Sequence, residues 1–291
     1  MGSATPPLDR IGAALRSLTD GYTIELTPTE AERIDTLRGL LAPGTGIYLT
    51  AIPGAPPRRM VEAAARIAAA GFHPIPHIAA RSFPSLTAID AFVAELVEAA
   101  AVTGVLVIAG SDPRPAGDVE SSIQVLRAGI LEQHGIRRVG VAGHPEGHPD
   151  IATGALAAAV IEKNELAATS GLDVYFVTQF CFAPEPYVRW EREIRLAGNR
   201  LPVCAGLPGV TSMRKLLRFG VSCGIGPSLR VLRKRARGLA GLVGSGTYRP
   251  DMLIRGIAEA MAADPSTLFE SAHFYPFGGA EDTVRWLERL L

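Results

Sequence analysis

The stretch Ala88–Ala109, AIDAFVAELVEAAAVTGVLVIA, decides the fold class because an amphipathic, alanine-rich segment runs directly into a continuous apolar one. The amphipathic part predicts a helix with one buried face, and the short run Val105–Ala109 predicts a buried strand. A strand that is apolar throughout is typical of a parallel sheet covered by helices. The stretch therefore predicts one helix–strand unit of an α/β protein.

The same unit recurs along the whole chain. The predicted strands are Tyr22–Leu26, Ile47–Thr50, His73–His77, Val105–Ala109, Val139–Ala142, Val174–Phe180, Pro202–Gly206 and Ala272–Tyr275. The predicted helices are Arg58–Ala70, Ala88–Thr103, Ser121–His134, Ile151–Ser170, Glu185–Ala197, Ser212–Gly224, Arg249–Ala263 and Ala280–Leu291. Eight such units in 291 residues favour an α/β fold of the (β/α)8 TIM-barrel type in a single domain. The alternative, an open doubly wound sheet, is disfavoured because no glycine-rich nucleotide fingerprint follows the first strand.

The barrel accounts for nearly the whole chain. Residues 1–20 are predicted to form an N-terminal leader and helix, with Met1–Pro7 flexible, and residues 21–291 the (β/α)8-barrel catalytic domain. The segment 207–270, between the seventh and eighth strands, is longer than one crossover needs. We therefore expect extra helices between strands 7 and 8.

Composition excludes several classes of partner. Twenty-nine basic residues balance 29 acidic ones, so no general field favours nucleic acid or an anionic membrane. Three separated cysteines predict buried, unpaired thiols in a reducing, cytoplasmic environment. The basic run from Arg230 to Arg237 is interpreted either as a solvated helix face or as an anion site for the acidic tail of a ligand or for a partner. Homo-oligomerisation stays open.

Unusual polar residues fall where the predicted strands end, which is the end of a parallel barrel that carries active sites. These residues are Glu25, Thr50, His77, Asp112, His144, Glu146, His148, Gln179, His273 and Tyr275. Glu25 lies in an apolar strand, where desolvation is expected to raise its pKa, so that it holds a proton near neutral pH and acts as a general acid. A structural hydrogen bond to a neighbouring strand is the alternative role.

Two of these positions have competing interpretations. His144 and His148 flank Glu146 in a Pro- and Gly-containing loop and suggest a metal site, although no third ligand is evident. Asp112 follows a Gly-Ser turn and is either a ligand-binding residue or only a helix N-cap.

Taken in order, several motifs resemble those of the methylenetetrahydrofolate reductase family. The resemblance rests on six motifs of this chain, the fifth of which consists of three short landmarks. The motifs are Thr23–Pro28 (TIELTP), Pro76–His77, Gly143–Pro149 (GHPEGHP), Val177–Phe182 (VTQFCF), the landmarks Leu207–Val210, Arg218–Phe219 and Cys223–Gly224, and His273–Tyr275 (HFY). Each motif alone is weak, but six in the expected order on the expected elements are specific. With these motifs as landmarks, most of the chain from residue 22 to residue 290 can be aligned in order with the family.

The resemblance implies that NAD(P)H reduces 5,10-methylenetetrahydrofolate to 5-methyltetrahydrofolate through bound FAD, or that the reverse reaction occurs. By this resemblance Glu25 protonates the pterin nitrogen N10, and Asp112 contacts the pterin ring and stabilises developing positive charge. Gln179 hydrogen-bonds folate, and Phe219 stacks on the folate or nicotinamide ring. The positions that match cofactor contacts are Thr50, His77, Ala109, Gly110, Ser111, Asp112, His144 and His148.

The chain departs from the family where a flavin diphosphate is anchored. An arginine of the family's Leu-Arg-Gly-Asp motif is absent from Ala109–Asp112, and its basic pair on the helix before the sixth strand aligns with Leu166 and Ala167. Charge-assisted contacts to phosphate are strong, so these losses weaken the anchor unless Lys163 or Arg114 replaces it. The tyrosine of the family's Tyr-Pro-Glu motif is His144 here.

Three alternatives follow from these departures. The first is a flavin-free reductase that takes hydride directly from NADH to folate. The second is a non-catalytic folate-binding or partner subunit, which the retained Glu25 disfavours. The third is a metal-dependent barrel hydrolase or lyase that uses His77, His144 and His148.

Overall fold

The fold is known from a computed structural model, which describes residues 6–222 and 246–290. Eight strands close into a barrel: β1 Thr23–Leu26, β2 Gly46–Leu49, β3 His73–Ala79, β4 Gly104–Ile108, β5 Arg138–Gly143, β6 Asp173–Thr178, β7 Val203–Pro208 and β8 Phe269–Tyr275. Around the barrel the strands follow the order β1, β8, β7, β6, β5, β4, β3, β2. The closed parallel barrel confirms the predicted fold class and rules out the open sheet.

Helices occupy the connections between the strands. They are α1 Leu8–Thr19, α2 Pro57–Ala69, α3 Leu86–Ala100, α4 Ser122–Arg127, α5 Ile130–Gln133, α6 Thr153–Thr169, α7 Pro184–Leu196, α8 Met213–Ser222, α9 Asp251–Ala263 and α10 Ala280–Leu290. A 3-10 helix, Glu30–Leu37, takes the place of an α-helix between β1 and β2. None of the helices in the described part of the chain is both long and apolar enough to span a membrane.

The chain divides into two compact units, each built from more than one segment of the sequence. The first unit comprises Thr23–Ala142 and Ala159–Phe176. The second unit comprises Met1–Tyr22, Gly143–Ala158 and Val177–Leu291.

In the first unit the strands and helices pack as their sequence patterns predict. The strand residues Ile24, Ile47 and Val107 are fully buried. Helix α2 buries Met60, Ala63, Ala64 and Ile67, a spacing that puts one apolar face against the strands. Helix α3 begins at the N-cap Ser85, whose hydroxyl accepts a hydrogen bond from the Ala88 amide at 3.2 Å.

In the second unit an ion-pair network ties helix α7 to the segment before β8. Arg195 lies 2.8 Å from the nearly buried Glu191 and 2.6 Å from Asp264. Glu191 also accepts a hydrogen bond from the Leu268 backbone amide at 3.0 Å. Because a buried carboxylate is costly to leave unpaired, this network fixes the position of the chain that enters β8.

Most predicted elements match the structure, with corrections at their ends. The predicted helix Ser121–His134 is broken into α4 and α5, because Gly129 between them adopts the left-handed conformation at φ 73°. Strand β3 runs on to Ala79, so His77 lies inside the strand rather than at its end. Strand β6 stops at Thr178, so Gln179 and Phe180 follow it.

The long connection between β7 and β8 contains more than one helix, as predicted. It holds α8 and α9, and the two-residue strands Thr211–Ser212 and Thr247–Tyr248 pair antiparallel within it. The basic run from Arg230 to Arg237 lies outside the described residues, as does Cys223.

Candidate functional site

The first unit brings Glu25 and His77 together. Glu25 lies on β1 and His77 on β3, and Glu25 Oε2 is 3.3 Å from His77 Nε2. The two side chains are 16% and 7% exposed, so water screens the contact poorly. This pair sets a titratable carboxyl and a titratable imidazole side by side inside the barrel, which is the arrangement that moves a proton to or from a ligand.

Two buried tyrosines line the barrel behind this pair. Tyr48, the register partner of Glu25 on β2, shares a hydrogen bond between hydroxyl groups with Tyr175 on β6. The Tyr48 ring meets the His77 ring edge to face at 6.0 Å. Neither tyrosine was identified from the sequence. The available signal was a hydroxyl in an otherwise apolar strand, since a buried hydroxyl needs a partner.

Asp112 lies in the loop after β4, where it accepts a hydrogen bond from the Ser82 hydroxyl at 3.0 Å. Gly110 in this loop has φ 97°, a left-handed conformation that favours glycine, and Ala109 accepts the Arg81 amide at 2.9 Å. The N-cap interpretation of Asp112 is wrong, because the next helix begins at Ser122 and Ser121 caps it. Asp112 is therefore a half-buried carboxylate that is available to a ligand.

A cavity of about 530 Å³ opens in the first unit beside these residues. His77 and Asp112 are both in its wall, together with Ala51. Strand β2 ends at Leu49, so Thr50 follows the strand instead of ending it as predicted, and it directly precedes Ala51. The Thr50 amide donates to the Leu26 carbonyl at 3.0 Å, which fixes the start of this loop. A cavity of this size matches small-molecule and cofactor sites, which are about 300–1,000 Å³.

Lys163 of α6 is buried within the first unit. Its amine donates to the Ala142 carbonyl at 3.3 Å and lies 5.4 Å from the centre of the Phe176 ring. Burial lowers the pKa of Lys163 to about 8, against the raising effect of the Glu162 carboxylate. The amine would have to leave both neighbours to reach a phosphate group.

In the second unit His144 and His148 lie close together in the loop after β5. Their rings meet edge to face at 5.5 Å, and His148 Nδ1 accepts the Asp150 amide at 3.2 Å. Across residues 6–222 and 246–290, no three or more His, Cys, Asp or Glu side chains are grouped so as to hold a metal ion.

Gln179 and Phe219 belong to the second unit as well. The backbone amide of Gln179 donates a hydrogen bond to the Gly143 carbonyl at 2.8 Å, which fixes the chain just after β6. Phe219 on α8 stacks on Phe277 with ring centres 4.6 Å apart and an angle of 20°. Both rings pack against a buried cluster formed by Phe180, Phe182 and Leu216.

Phe277 was not found from the sequence. It has φ 49°, a left-handed conformation that is uncommon for a residue with a side chain. The signal was the turn sequence Pro276–Gly279, PFGG, directly after the His-Phe-Tyr strand.

The described cysteines match the prediction of buried thiols outside disulfides. Cys181 and Cys204 are buried, and neither forms a disulfide bond in the part of the chain that the structure describes. Burial raises the pKa of the Cys181 thiol well above its ordinary value, an effect that the neighbouring Glu146 carboxylate reinforces. A thiol with a raised pKa is a poor nucleophile.

Solved structures that are similar to this chain are distant from it in sequence. A protein of Burkholderia cenocepacia J2315 assigned as a phosphonomutase is 12% identical with a TM-score of 0.50, over 97% of this chain and 98% of that one. Dihydropteroate synthase of Thermus thermophilus is 14% identical over 93% of each chain, with a TM-score of 0.48. The tryptophan synthase alpha-subunit of Pyrococcus furiosus is 12% identical with a TM-score of 0.48, over 94% of this chain and 96% of that one. At 12% identity the likeness to the Burkholderia protein concerns the fold alone.

The family comparison is more specific. The model of the methylenetetrahydrofolate reductase family matches residues 83–227. The matched range includes Asp112, the His144–His148 loop, Gln179 and Phe219, which are the positions that carry most of the motif resemblance. With its closed barrel and these motifs in order, the chain belongs to the methylenetetrahydrofolate reductase family, a family of oxidoreductases that act in folate-linked reduction.

Proposed function

We propose that the chain interconverts 5,10-methylenetetrahydrofolate and 5-methyltetrahydrofolate, with NAD(P)H as the source of hydride and Glu25 as the general acid. The observation that carries the proposal is the Glu25–His77 pair, 3.3 Å apart inside the barrel. A folate-binding subunit without catalysis has no need of a largely buried acid of this kind.

The chemistry needs one proton and one hydride. A proton passes from Glu25 to N10 of the folate, the bond between N10 and the methylene carbon breaks, and a cationic iminium remains at N5. Hydride then adds to that carbon and gives the 5-methyl group. Glu25 is left as a carboxylate beside His77. The His77 imidazole can return a proton to this carboxylate or, when protonated, balance its negative charge.

The other proposed roles follow the motif positions. Asp112 would hydrogen-bond the pterin and offset the positive charge of the iminium, since the Ser82 hydroxyl is the one hydrogen-bond partner of its carboxylate in the described chain. Gln179 would hydrogen-bond the folate, and Phe219 would stack on the planar ring of folate or nicotinamide. Phe219 is held for this by the ring of Phe277.

The fit of FAD to these residues is mixed. FAD, where bound, supplies a hydride relay between nicotinamide and folate. In the first unit His77 and Asp112 line the cavity and offer polar contacts for a ring system, and Thr50 and Ala109–Ser111 adjoin the lining residues in the chain. The cofactor role of His144 and His148 stays a prediction from the motifs. The diphosphate fits poorly at α6, because Leu166 and Ala167 carry no charge and the Lys163 amine is buried against Ala142.

This poor fit favours a second candidate mechanism, direct hydride transfer from NAD(P)H to folate without flavin. The deciding assay is anaerobic oxidation of NADH and of NADPH by the purified protein with methylenetetrahydrofolate, with and without added FAD. Turnover that requires FAD supports the flavin mechanism. Turnover without flavin supports direct transfer, and no turnover with either nucleotide contradicts the proposed reaction and favours a folate-binding subunit.

The role of Glu25 is tested by Glu25→Gln, which keeps the shape of the side chain and removes the acid. We expect folate binding within about twofold of the parent and a fall in turnover of about 10²–10⁴-fold, the range that general acid catalysis contributes. Glu98→Gln, the same change at an exposed position of α3, is the matched control and should turn over normally. Folate reduction by Glu25→Gln at the parent rate would show that another group donates the proton.

A further inference from the structure

The cavity in the first unit carries more positive charge than the proposed folate chemistry uses. Three arginines, Arg59, Arg81 and Arg114, line it, against the single carboxylate of Asp112. The neighbouring His77 faces Glu25. We refer to this cavity, with its three guanidinium groups, as the arginine pocket.

The three arginines differ in how far their charge is already matched. Arg59 donates to the Thr29 hydroxyl at 3.0 Å and has the Glu32 carboxylate at 3.9 Å. Arg114 is exposed and has no ion pair within the described ranges. Positive charge that is available to a ligand is therefore concentrated toward Arg114 and Arg81.

Arg81 is held in place while part of its guanidinium remains unmatched. Its Nη2 donates to the Pro113 carbonyl at 2.8 Å, and its backbone is bonded to Ala109 and Ala116. Its Nε is buried and has no hydrogen-bond acceptor among the residues that the structure describes. A buried donor without an acceptor is unfavourable, so an anionic ligand that reaches this guanidinium gains a pre-positioned partner.

The rest of the lining consists of an apolar wall, which suits a planar ring, and a rigid rim. Met60, Phe83 and Phe92 form a buried apolar wall. The rim from Ala51 to Pro57 contains Pro53, Pro56 and Pro57, and helix α2 begins at Pro57. Prolines limit the conformations of this rim, which lowers the entropy lost when a ligand binds.

We propose that the arginine pocket binds the diphosphate of a dinucleotide, with Arg81 and Arg114 as its ligands and the apolar wall against an adjoining ring. Two guanidinium groups that have no carboxylate partner among residues 6–222 and 246–290 match a dianion, and guanidinium groups bind phosphate oxygens in a forked geometry. This inference rests on the proposed function, which requires a nicotinamide nucleotide with or without a flavin one. By this inference the anion site lies in the loops after β2, β3 and β4, and not at α6.

The test is isothermal titration of the full chain, without folate, with NADH, with FAD and with p-aminobenzoyl-glutamate separately. Arg81→Ala and Arg114→Ala are each expected to weaken the dinucleotide that binds here by about tenfold or more, as loss of a charge-assisted contact does. Arg58→Ala removes a charge from the same helix as Arg59 but outside the pocket, where Arg58 pairs with Glu62 at 2.9 Å, and it should bind as the parent does. Arg114 is exposed, so its variant tests the site even if Arg81→Ala fails to fold.

The outcomes separate the sources of the diphosphate and the two proposals. Weakening of NADH alone assigns the pocket to the nicotinamide nucleotide, and weakening of FAD alone assigns it to the flavin; either supports the inference. Unchanged affinity in both variants overturns it, and so does weakening confined to p-aminobenzoyl-glutamate, which would identify a site for the folate tail. Parent-like binding by the variants in a protein that reduces folate rejects only the arginine pocket. Arginine-dependent binding without any folate turnover rejects only the proposed reaction.

Discussion

At the scale of single residues, the burial of Lys163 makes the stability of the protein depend on pH. Its pKa is lowered to about 8 by burial, so the folded protein releases this proton at lower pH than the unfolded chain. Stability should therefore rise with pH from about 8 to about 10.4, and the penalty for burying the charge is fully present below pH 8, on the order of 3 kcal/mol. Lys163→Met should raise the free energy of unfolding at pH 7 and remove most of this rise.

Urea unfolding of the parent and of Lys163→Met at pH 7 and pH 10 measures the effect. Lys215→Met, at an exposed position on α8, is the control and should leave the rise unchanged. An equal rise with pH in the parent and in Lys163→Met would show that other groups cause it.

At Phe277 the backbone conformation and the side chain have opposite effects on stability. Its left-handed φ of 49° is strained, while its ring stacks on Phe219 and meets Phe180 at 5.0 Å. Phe277→Ala and Phe277→Gly both remove the ring, but only glycine relieves the strain, so Phe277→Gly should be more stable than Phe277→Ala by about 1 kcal/mol. Both should raise the KM for folate, because Phe219 loses its stacked neighbour. Urea unfolding and steady-state kinetics check the two parts, and a less stable glycine variant would contradict the strain.

At the scale of secondary-structure elements, helix α3 ends on an unfavourable residue. Ala101 follows the helix with φ 47°, and its amide still bonds to the Val97 carbonyl. Glycine adopts this conformation without strain, so Ala101→Gly should stabilise the protein by about 0.5–1 kcal/mol. Ala99→Gly, an exposed position inside the same helix, should instead destabilise it by about 1 kcal/mol. The midpoint of thermal unfolding should shift in opposite directions for the two variants. Shifts of the same sign would contradict the strain assigned to Ala101 at the end of the helix.

At the scale of the whole molecule, the barrel joins residues that are far apart in the sequence. Tyr48 and Tyr175, 127 positions apart, share one buried hydrogen bond between β2 and β6. Removing one hydroxyl leaves the other without this partner, so Tyr48→Phe and Tyr175→Phe should each cost about 1–3 kcal/mol of unfolding free energy. The double variant should cost less than the sum, by about 1 kcal/mol. Urea unfolding of all four proteins closes this cycle, and strict additivity would mean that the two hydroxyl groups are not coupled.

The sequence by itself determined the order and type of the barrel elements, because the alternation of apolar strands and amphipathic helices is a local pattern. It also singled out Glu25, since a carboxylate in an apolar strand is unusual wherever the strand lies. Only the tertiary structure decided that Glu25 meets His77, that Tyr48 meets Tyr175, and that Lys163 is buried against Ala142. The sequence had offered Arg114 as a replacement phosphate anchor, but only the tertiary structure placed it in one cavity with Arg81. Contacts of this kind depend on strand register and barrel closure, which join distant segments and leave no local pattern in the chain.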